Sequence, residues 1–142
     1  MSGVVLLTDG TSMPSITRSY LNAHAGTVYA VGGPAAIADG AATRIVGADR
    51  MSTAATVAST FFPTPISLGI ASGATFADAM SGGAYVARLG GPILLTYPTS
   101  LPASTSNYLS AARSSLASSA LFGGSAAISV SVQTTIDQLL WF

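Results

Sequence analysis

The 142-residue chain contains no cysteine, no lysine and no glutamate, and only 7% of its residues are charged. Without cysteine there is no disulfide scaffold, no thiol nucleophile and no cysteine-ligated zinc. Five Arg and five Asp cancel to a formal net charge of zero, so the basic footprint of a nucleic-acid-binding surface is missing. No apolar run approaches the ~20 residues that a membrane-spanning helix needs. No positively charged stretch followed by an apolar one opens the sequence in the manner of a signal peptide. Met1-Ser2-Gly3 runs straight into a strand-like segment, as expected of an excised segment.

The parts for catalysis are equally scarce. His24 is the sole histidine, and it falls at the C-terminal end of a predicted helix, where capping is its expected role. A Ser-His-Asp triad would have to use it, yet no G-x-S-x-G elbow supplies the serine. One His, no Cys and no Glu leave only scattered Asp as metal ligands. Gly32-Gly33 and Gly123-Gly124 follow strands, as phosphate loops do, but match neither G-x-G-x-x-G nor a lysine-bearing P-loop. Turns and close backbone approach account for them. The expectation is a non-catalytic protein without a cofactor or metal.

What the chain does have is a 49% apolar fraction rich in Ala, many Ser and Thr hydroxyls, and an internal repeat. Val4-Val5-Leu6-Leu7-Thr8, then Thr11-Ser12-Met13-Pro14, then Tyr20-Leu21, returns later in the same order. The second copy reads Pro92-Ile93-Leu94-Leu95-Thr96, Thr99-Ser100-Leu101-Pro102 and Tyr108-Leu109. Val31-Gly32-Gly33-Pro34-Ala35-Ala36-Ile37 likewise matches Phe122-Gly123-Gly124-Ser125-Ala126-Ala127-Ile128. Such ordered self-similarity marks repeated structural units. The chain therefore holds about one and a half of them: residues 4–40 as the back half of a preceding repeat, and residues 44–140 as a complete one. A separate core of about 37 residues would be too small to stand alone, so one continuous sheet is expected.

Each unit alternates strand and helix. Val4–Thr8, Thr27–Val31, Arg44–Val46, Ile66–Ala71, Ile93–Leu95 and Ala120–Phe122 read as strands, the apolar runs among them as buried on both faces. Helices follow Pro14, Arg50, Thr75, Pro102 and Val130, with stops such as Gly26 and Pro63. This alternation predicts an α/β fold with a parallel sheet covered by helices on both faces. Right-handed crossovers bring the loops after the strands to one edge, where open α/β sheets bind ligands.

That edge supplies the candidate site. In Ser72-Gly73-Ala74-Thr75-Phe76-Ala77-Asp78, the Ser72 and Thr75 hydroxyls with helix-start amides suit an anionic or hydroxylated ligand; helix capping by Thr75, with Asp78 in the first turn, uses the same residues. Asp49 and Arg50 lie in a second loop. There the Arg fork suits phosphate or carboxylate, or pairs internally with a residue such as Asp78. The aromatics read mostly as core, except the terminal Trp141-Phe142, which either folds back or belongs to an interface.

The string Arg44-Ile45-Val46-Gly47-Ala48-Asp49-Arg50 with Thr53-Ala54 resembles the opening of the cell-wall-binding repeat family, type 2, of Gram-positive surface and S-layer proteins. Ala71-Ser72-Gly73 with Phe76-Ala77-Asp78-Ala79, Gly91-Pro92-Ile93-Leu94-Leu95-Thr96 with Leu101-Pro102, and Phe122-Gly123-Gly124 with Ala127-Ile128 resemble it in the same order. The family's Phe-Pro-Asp loop reads Phe76-Ala77-Asp78 here. The resemblance implies a three-layer Rossmann- or Toprim-like fold, an extracellular location at the cell wall, and non-covalent attachment to an anionic glycopolymer, a wall polysaccharide or teichoic-acid-like chain. Candidate contacts are Asp49, Arg50, Ser72, Thr75, Asp78 and Thr96, and Ile93-Leu94-Leu95 is implicated in anchoring. Family modules pack as three copies about a pseudo-threefold, which here implies self-association into a trimer. The rival expectation, from the low charge and the half repeat, is a self-assembling subunit of an extracellular layer or filament. A small hydrolase built on His24 is a third.

Overall fold

The computed structural model describes residues 3–141, and two compact units meet in the chain between Gly47 and Ala48. Both are α/β, with parallel strands flanked by helices.

The first unit contains α1 (Ser15–Ala23), β1 (Tyr29–Val31), α2 (Gly33–Ala38) and β2 (Thr43–Ile45). Pro14 precedes α1, and its fixed φ suits a helix entry. At the far end His24 Nδ1 lies 2.8 Å from the Tyr20 carbonyl oxygen. A carbonyl only accepts, so Nδ1 carries the proton and caps the helix. The His24 ring also stacks on Tyr20 at 3.9 Å. β1 and β2 run parallel, with Tyr29 opposite Thr43 and Val31 opposite Ile45. Arg18 and Asp39 form an ion pair at 3.5 Å, the only one among the described residues.

Two expectations for this unit are corrected. Val4–Thr8 is not a strand: it carries no ladder, and Val4, Val5 and Leu7 are 65%, 89% and 78% exposed. A strand exists only through its partner, and no described strand pairs with this stretch. Gly32-Gly33, read from sequence as a turn after the strand, leads directly into the short helix α2, which starts at Gly33 itself. Gly32 at φ +90° makes the turn, and Pro34 in the first helical turn presets the backbone. Ser125 stands at the matching position of the second copy, and there the chain makes only a turn.

The second unit contains α3 (Arg50–Phe61), β3 (Ser67–Ser72), α4 (Ala77–Arg88), β4 (Ile93–Thr96), α5 (Ala103–Ala112), β5 (Ser118–Phe122) and α6 (Val130–Trp141). Its sheet has the order β4-β3-β5, all parallel, so β3 is central and buried along its whole length. Gly69 lies opposite both Ile93 and Ala120, and Ile70 opposite both Leu94 and Leu121. Side chains alternate across the strands. Leu68, Ile70 and Leu94 join Ala58 of α3, Tyr108 and Leu109 of α5, and Val132, Ile136 and Leu140 of α6 in one core.

The other face packs on α4. A Cβ on Gly69 or Gly82 would stand 2.8 or 2.5 Å from the Phe122 ring and 3.2 or 3.0 Å from Ile93, and one on Gly69 also 2.9 Å from Val86, so neither position has room for one. Helices thus cover both faces of the sheet. Fully burying a Leu or Ile side chain contributes roughly 1.5–3 kcal/mol, and Leu68, Ile70, Leu94, Leu109 and Ile136 are all fully buried. Trp141, in the last turn of α6, stays half exposed; Phe142 lies outside the described residues.

Candidate ligand-binding site

Three loops of the second unit converge at the carboxyl end of its sheet. Asp49 is the N-cap of α3 and closes a reciprocal capping box with Ser52. The Ser52 amide donates to Asp49 Oδ1 at 2.7 Å, and the Asp49 amide donates to Ser52 Oγ at 2.9 Å. Its second oxygen accepts the Tyr97 hydroxyl at 3.1 Å, which ties the loop after β4 to the start of α3. Arg50 Nη1 donates to the Gly73 carbonyl at 2.8 Å and so holds the loop after β3. The Gly73 amide in turn donates to the Thr96 carbonyl at 2.8 Å.

These bonds set the electrostatics. The Ser52 amide and hydroxyl hold the Asp49 carboxyl below its ordinary range, and the Tyr97 hydroxyl adds to this. The hydrogen bond to Asp49, with its negative charge, pushes the Tyr97 phenol up. Near neutral pH the edge therefore presents an ionised carboxylate, a guanidinium with donors left over, and a neutral phenol whose ring is partly exposed.

The six residues expected from sequence divide into two groups. Asp49, Arg50 and Thr75 are exposed, and Asp78 is half-exposed. Ser72 and Thr96 are buried, at 1% and 0% exposure. Ser72 Oγ accepts the Ala74 amide at 3.2 Å, and Thr96 Oγ1 donates to the Ser100 carbonyl at 3.1 Å, so both shape their loops from inside. Asp49, Arg50, Ser72 and Thr96 come together. Asp78 sits in the first turn of α4 beside Gly123, whose missing Cβ would stand 2.7 Å from the Asp78 carboxylate.

Neither internal role considered for the loops holds in the form expected. The N-cap of α4 is Phe76, with no side-chain cap, so Thr75 does not cap it. Arg50 bonds a backbone carbonyl rather than Asp78. Among the described residues no three His, Cys, Asp or Glu side chains stand close enough to hold a metal ion.

Tyr97 is the functional candidate that sequence reasoning missed. The signal was present: the first copy has Asp9 at this position, so Tyr97 is an aromatic without the repeat spacing that marks core. From Ser52 a groove of about 490 Å³ continues between α3 and α5, lined by Thr56, Thr60, Ser104, Asn107 and the edge of Tyr108. Hydroxyls and an amide over an apolar floor suit a hydroxylated chain molecule.

Residues 44–133 match the family model described as Cell wall binding domain 2. In three dimensions the chain is similar to Cwp8 from Clostridium difficile, with a TM-score of 0.77 and 24% identity over 94% of this chain and 24% of that one. It is likewise similar to Cwp6 from Clostridium difficile, with a TM-score of 0.76 and 26% identity over 95% of this chain and 23% of that one. The chain thus spans about a quarter of the length of these solved structures. No curated protein matches it.

Proposed function

This chain belongs to the cell wall binding domain 2 family, and from that premise we propose that its second unit attaches a surface protein non-covalently to an anionic cell-wall glycopolymer, without catalysis. The module is a cell-wall-binding one by family. The cluster of Asp49, Arg50 and Tyr97 is the observation that carries the finer reading. Tyr97 offers a ring face for a sugar, Asp49 accepts from sugar hydroxyls, and the spare Arg50 donors suit a phosphate or carboxylate on the polymer. Thr75 and Asp78 extend the contact along the edge, while Ser72 and Thr96 hold the loops. With net charge zero, attraction depends on this local fork rather than on a long-range field. In this reading residues 4–40 are the back half of a preceding repeat, residues 44–140 a complete one, and the protein works outside the cell at the wall.

Co-sedimentation with purified, protein-free Gram-positive cell walls tests it. The wild type is retained at low salt, and Arg50→Ala with Tyr97→Ala lowers retention about tenfold or more while the circular dichroism spectrum stays unchanged. Equal retention of the double variant would remove the site, and no retention of the wild type would remove the function.

Self-association, as a trimer or an open-ended layer, is the second reading. It is supported by the low charge and by Trp141, an aromatic left half exposed at the end of α6.

A further inference from the structure

The groove between α3 and α5 differs in its chemistry from the Asp49, Arg50 and Tyr97 cluster at its end. Along α3 it is lined by Ser52, Thr56, Ser59 and Thr60. Thr56 Oγ1 donates to the Ser52 carbonyl at 2.8 Å, Ser59 Oγ to the Ala55 carbonyl at 2.9 Å, and Thr60 Oγ1 to the Thr56 carbonyl at 2.8 Å. A hydroxyl has a single proton, and these three are spent on the helix backbone. Thr56, Ser59 and Thr60 are exposed, so what they offer a ligand is lone pairs. The α3 wall accepts.

The α5 wall is its complement. The side chains of Ser104 and Asn107 line it and bond no other described residue, which leaves a hydroxyl and an amide free to donate. The floor is apolar, made by Ala55, Ala111 and the Tyr108 ring. Tyr108 donates its hydroxyl to the Phe62 carbonyl at 2.6 Å and so ties α5 to the end of α3. The groove is therefore formed in advance, which spares a ligand the cost of ordering it. None of its lining residues is charged.

These features decide what can lie there. A phosphate or carboxylate only accepts, so it would lose its water without finding a partner on α3 or a cation. An extended peptide carries as many carbonyls as amides, and the carbonyls facing α3 would go unpaired. Sugar hydroxyls both donate and accept, and the C–H face of a sugar ring suits the apolar floor. Residues four apart on a helix stand one above the other. Ser52, Thr56 and Thr60 therefore form a ladder with a step of about 6 Å, close to one sugar ring.

We infer that this groove is a subsite for neutral, hydroxylated sugars of the bound polymer, separate from the place at Arg50 where its charge is held. Ser52 joins the two, since it closes the capping box with Asp49 and also begins the groove. The inference rests on the wall-binding reading and adds a selectivity to it. From Ser52 to Thr60 the ladder runs about 12 Å, so the preferred polymer carries about two uncharged sugars beside an anionic group. A polymer charged on every unit cannot fill the groove.

The test titrates the isotope-labelled full chain with two probes and follows its amide resonances by nuclear magnetic resonance. One probe is the neutral oligosaccharide released from purified Gram-positive walls by aqueous hydrofluoric acid, which cleaves phosphodiesters. The other is inorganic phosphate. The oligosaccharide should shift Thr56, Thr60 and the Asn107 side chain, and phosphate should shift Arg50 while leaving those three in place. Thr56→Val with Thr60→Val keeps the shape and removes the acceptors, and should weaken the oligosaccharide at least about fivefold. Thr134→Val removes a hydroxyl that makes the same kind of bond on α6, and should leave its affinity unchanged. An oligosaccharide that does not shift the groove overturns the inference, as does wild-type affinity in the double Val variant or phosphate bound in the groove. Walls that retain the chain although the oligosaccharide misses the groove overturn this inference alone. Loss of wall retention overturns the wall-binding reading and with it the inference that rests on it.

Discussion

Tyr20-Leu21 and Tyr108-Leu109 are the same dipeptide on the same helix of two repeat copies, yet they live in different surroundings. Leu109 is fully buried, and Tyr108 donates its hydroxyl to the Phe62 carbonyl at 2.6 Å at the end of α3. Leu21 and Tyr20 are half-exposed, and the Tyr20 ring packs on His24 instead. Nothing about the local sequence separates them. The difference is the presence of α3, β3 and α6, which enclose one copy in a single core and have no equivalent among the described residues of the other. Burial, and with it stability, belongs to the completed unit rather than to the motif.

Substitutions made in pairs sharpen that contrast. Leu109→Ala should destabilise the second unit by about 3 kcal/mol, through lost transfer energy and the cavity left behind, whereas Leu21→Ala should cost under about 1 kcal/mol because the site is already half open. Urea unfolding of both variants measures it, and equal costs would break the comparison. Thr105→Val removes the hydrogen bond from the fully buried Thr105 hydroxyl to the half-buried Leu95 carbonyl and should cost about 1–3 kcal/mol, while Thr17→Val should cost less, since Leu7 is exposed to solvent.

Tyr108 gives a pH signature. Burial pushes its phenol up to about 12, above the usual value near 10. A raised folded-state pKa contributes stability that is present below the unfolded pKa and is lost as pH rises through the folded one. The second unit should therefore lose stability between pH 10 and about 12. Tyr108→Phe should remove that alkaline loss while lowering neutral-pH stability by about 1 kcal/mol for the lost hydrogen bond. Thermal melts across this range decide the point.

The smallest effect is at Asp49. Its lowered pKa reverses the sign: the stabilisation is present above the unfolded carboxyl value and is lost as pH falls through the folded one, below the ordinary 3.8. Asp49→Asn keeps a capping oxygen but not the charge. It should flatten the acid end of the stability profile and bring the Tyr97 phenol back towards its ordinary range, readable by ultraviolet titration.

The second unit was largely legible in the sequence because its signals are local and mutually consistent. Apolar runs of strand length and a helix stop at Pro63 point the same way. Its strand and helix ends moved by a few residues at most: β5 begins at Ser118 rather than Ala120, and α4 at Ala77 rather than Thr75. The strand expected at Val4–Thr8 failed for the opposite reason. The run is as apolar as its twin, but strand formation is a property of a pair, and pairing is not written in one segment.

The site shows the same divide. That Asp49, Arg50, Ser72 and Thr96 would gather followed from topology, since each ends a strand or starts a helix at one edge. Which hydroxyls face inward did not follow, because Ser and Thr serve equally as turn formers and as ligand contacts. Tyr97 was hidden by its identity: an aromatic beside an apolar strand reads as core until its partner, Asp49, is seen 3.1 Å away.

Native-state hydrogen exchange of the unmodified chain at low concentration tests the contrast between the units most directly. The amides of Leu94 and Thr96, which face β3 in the ladder, should exchange only through large-scale unfolding of the second unit, and those of Leu6 and Thr8, the same positions in the other copy, should exchange at close to the rate of free peptide. Equal, strong protection of both stretches would contradict the account, since it would mean that the first unit is complete by itself.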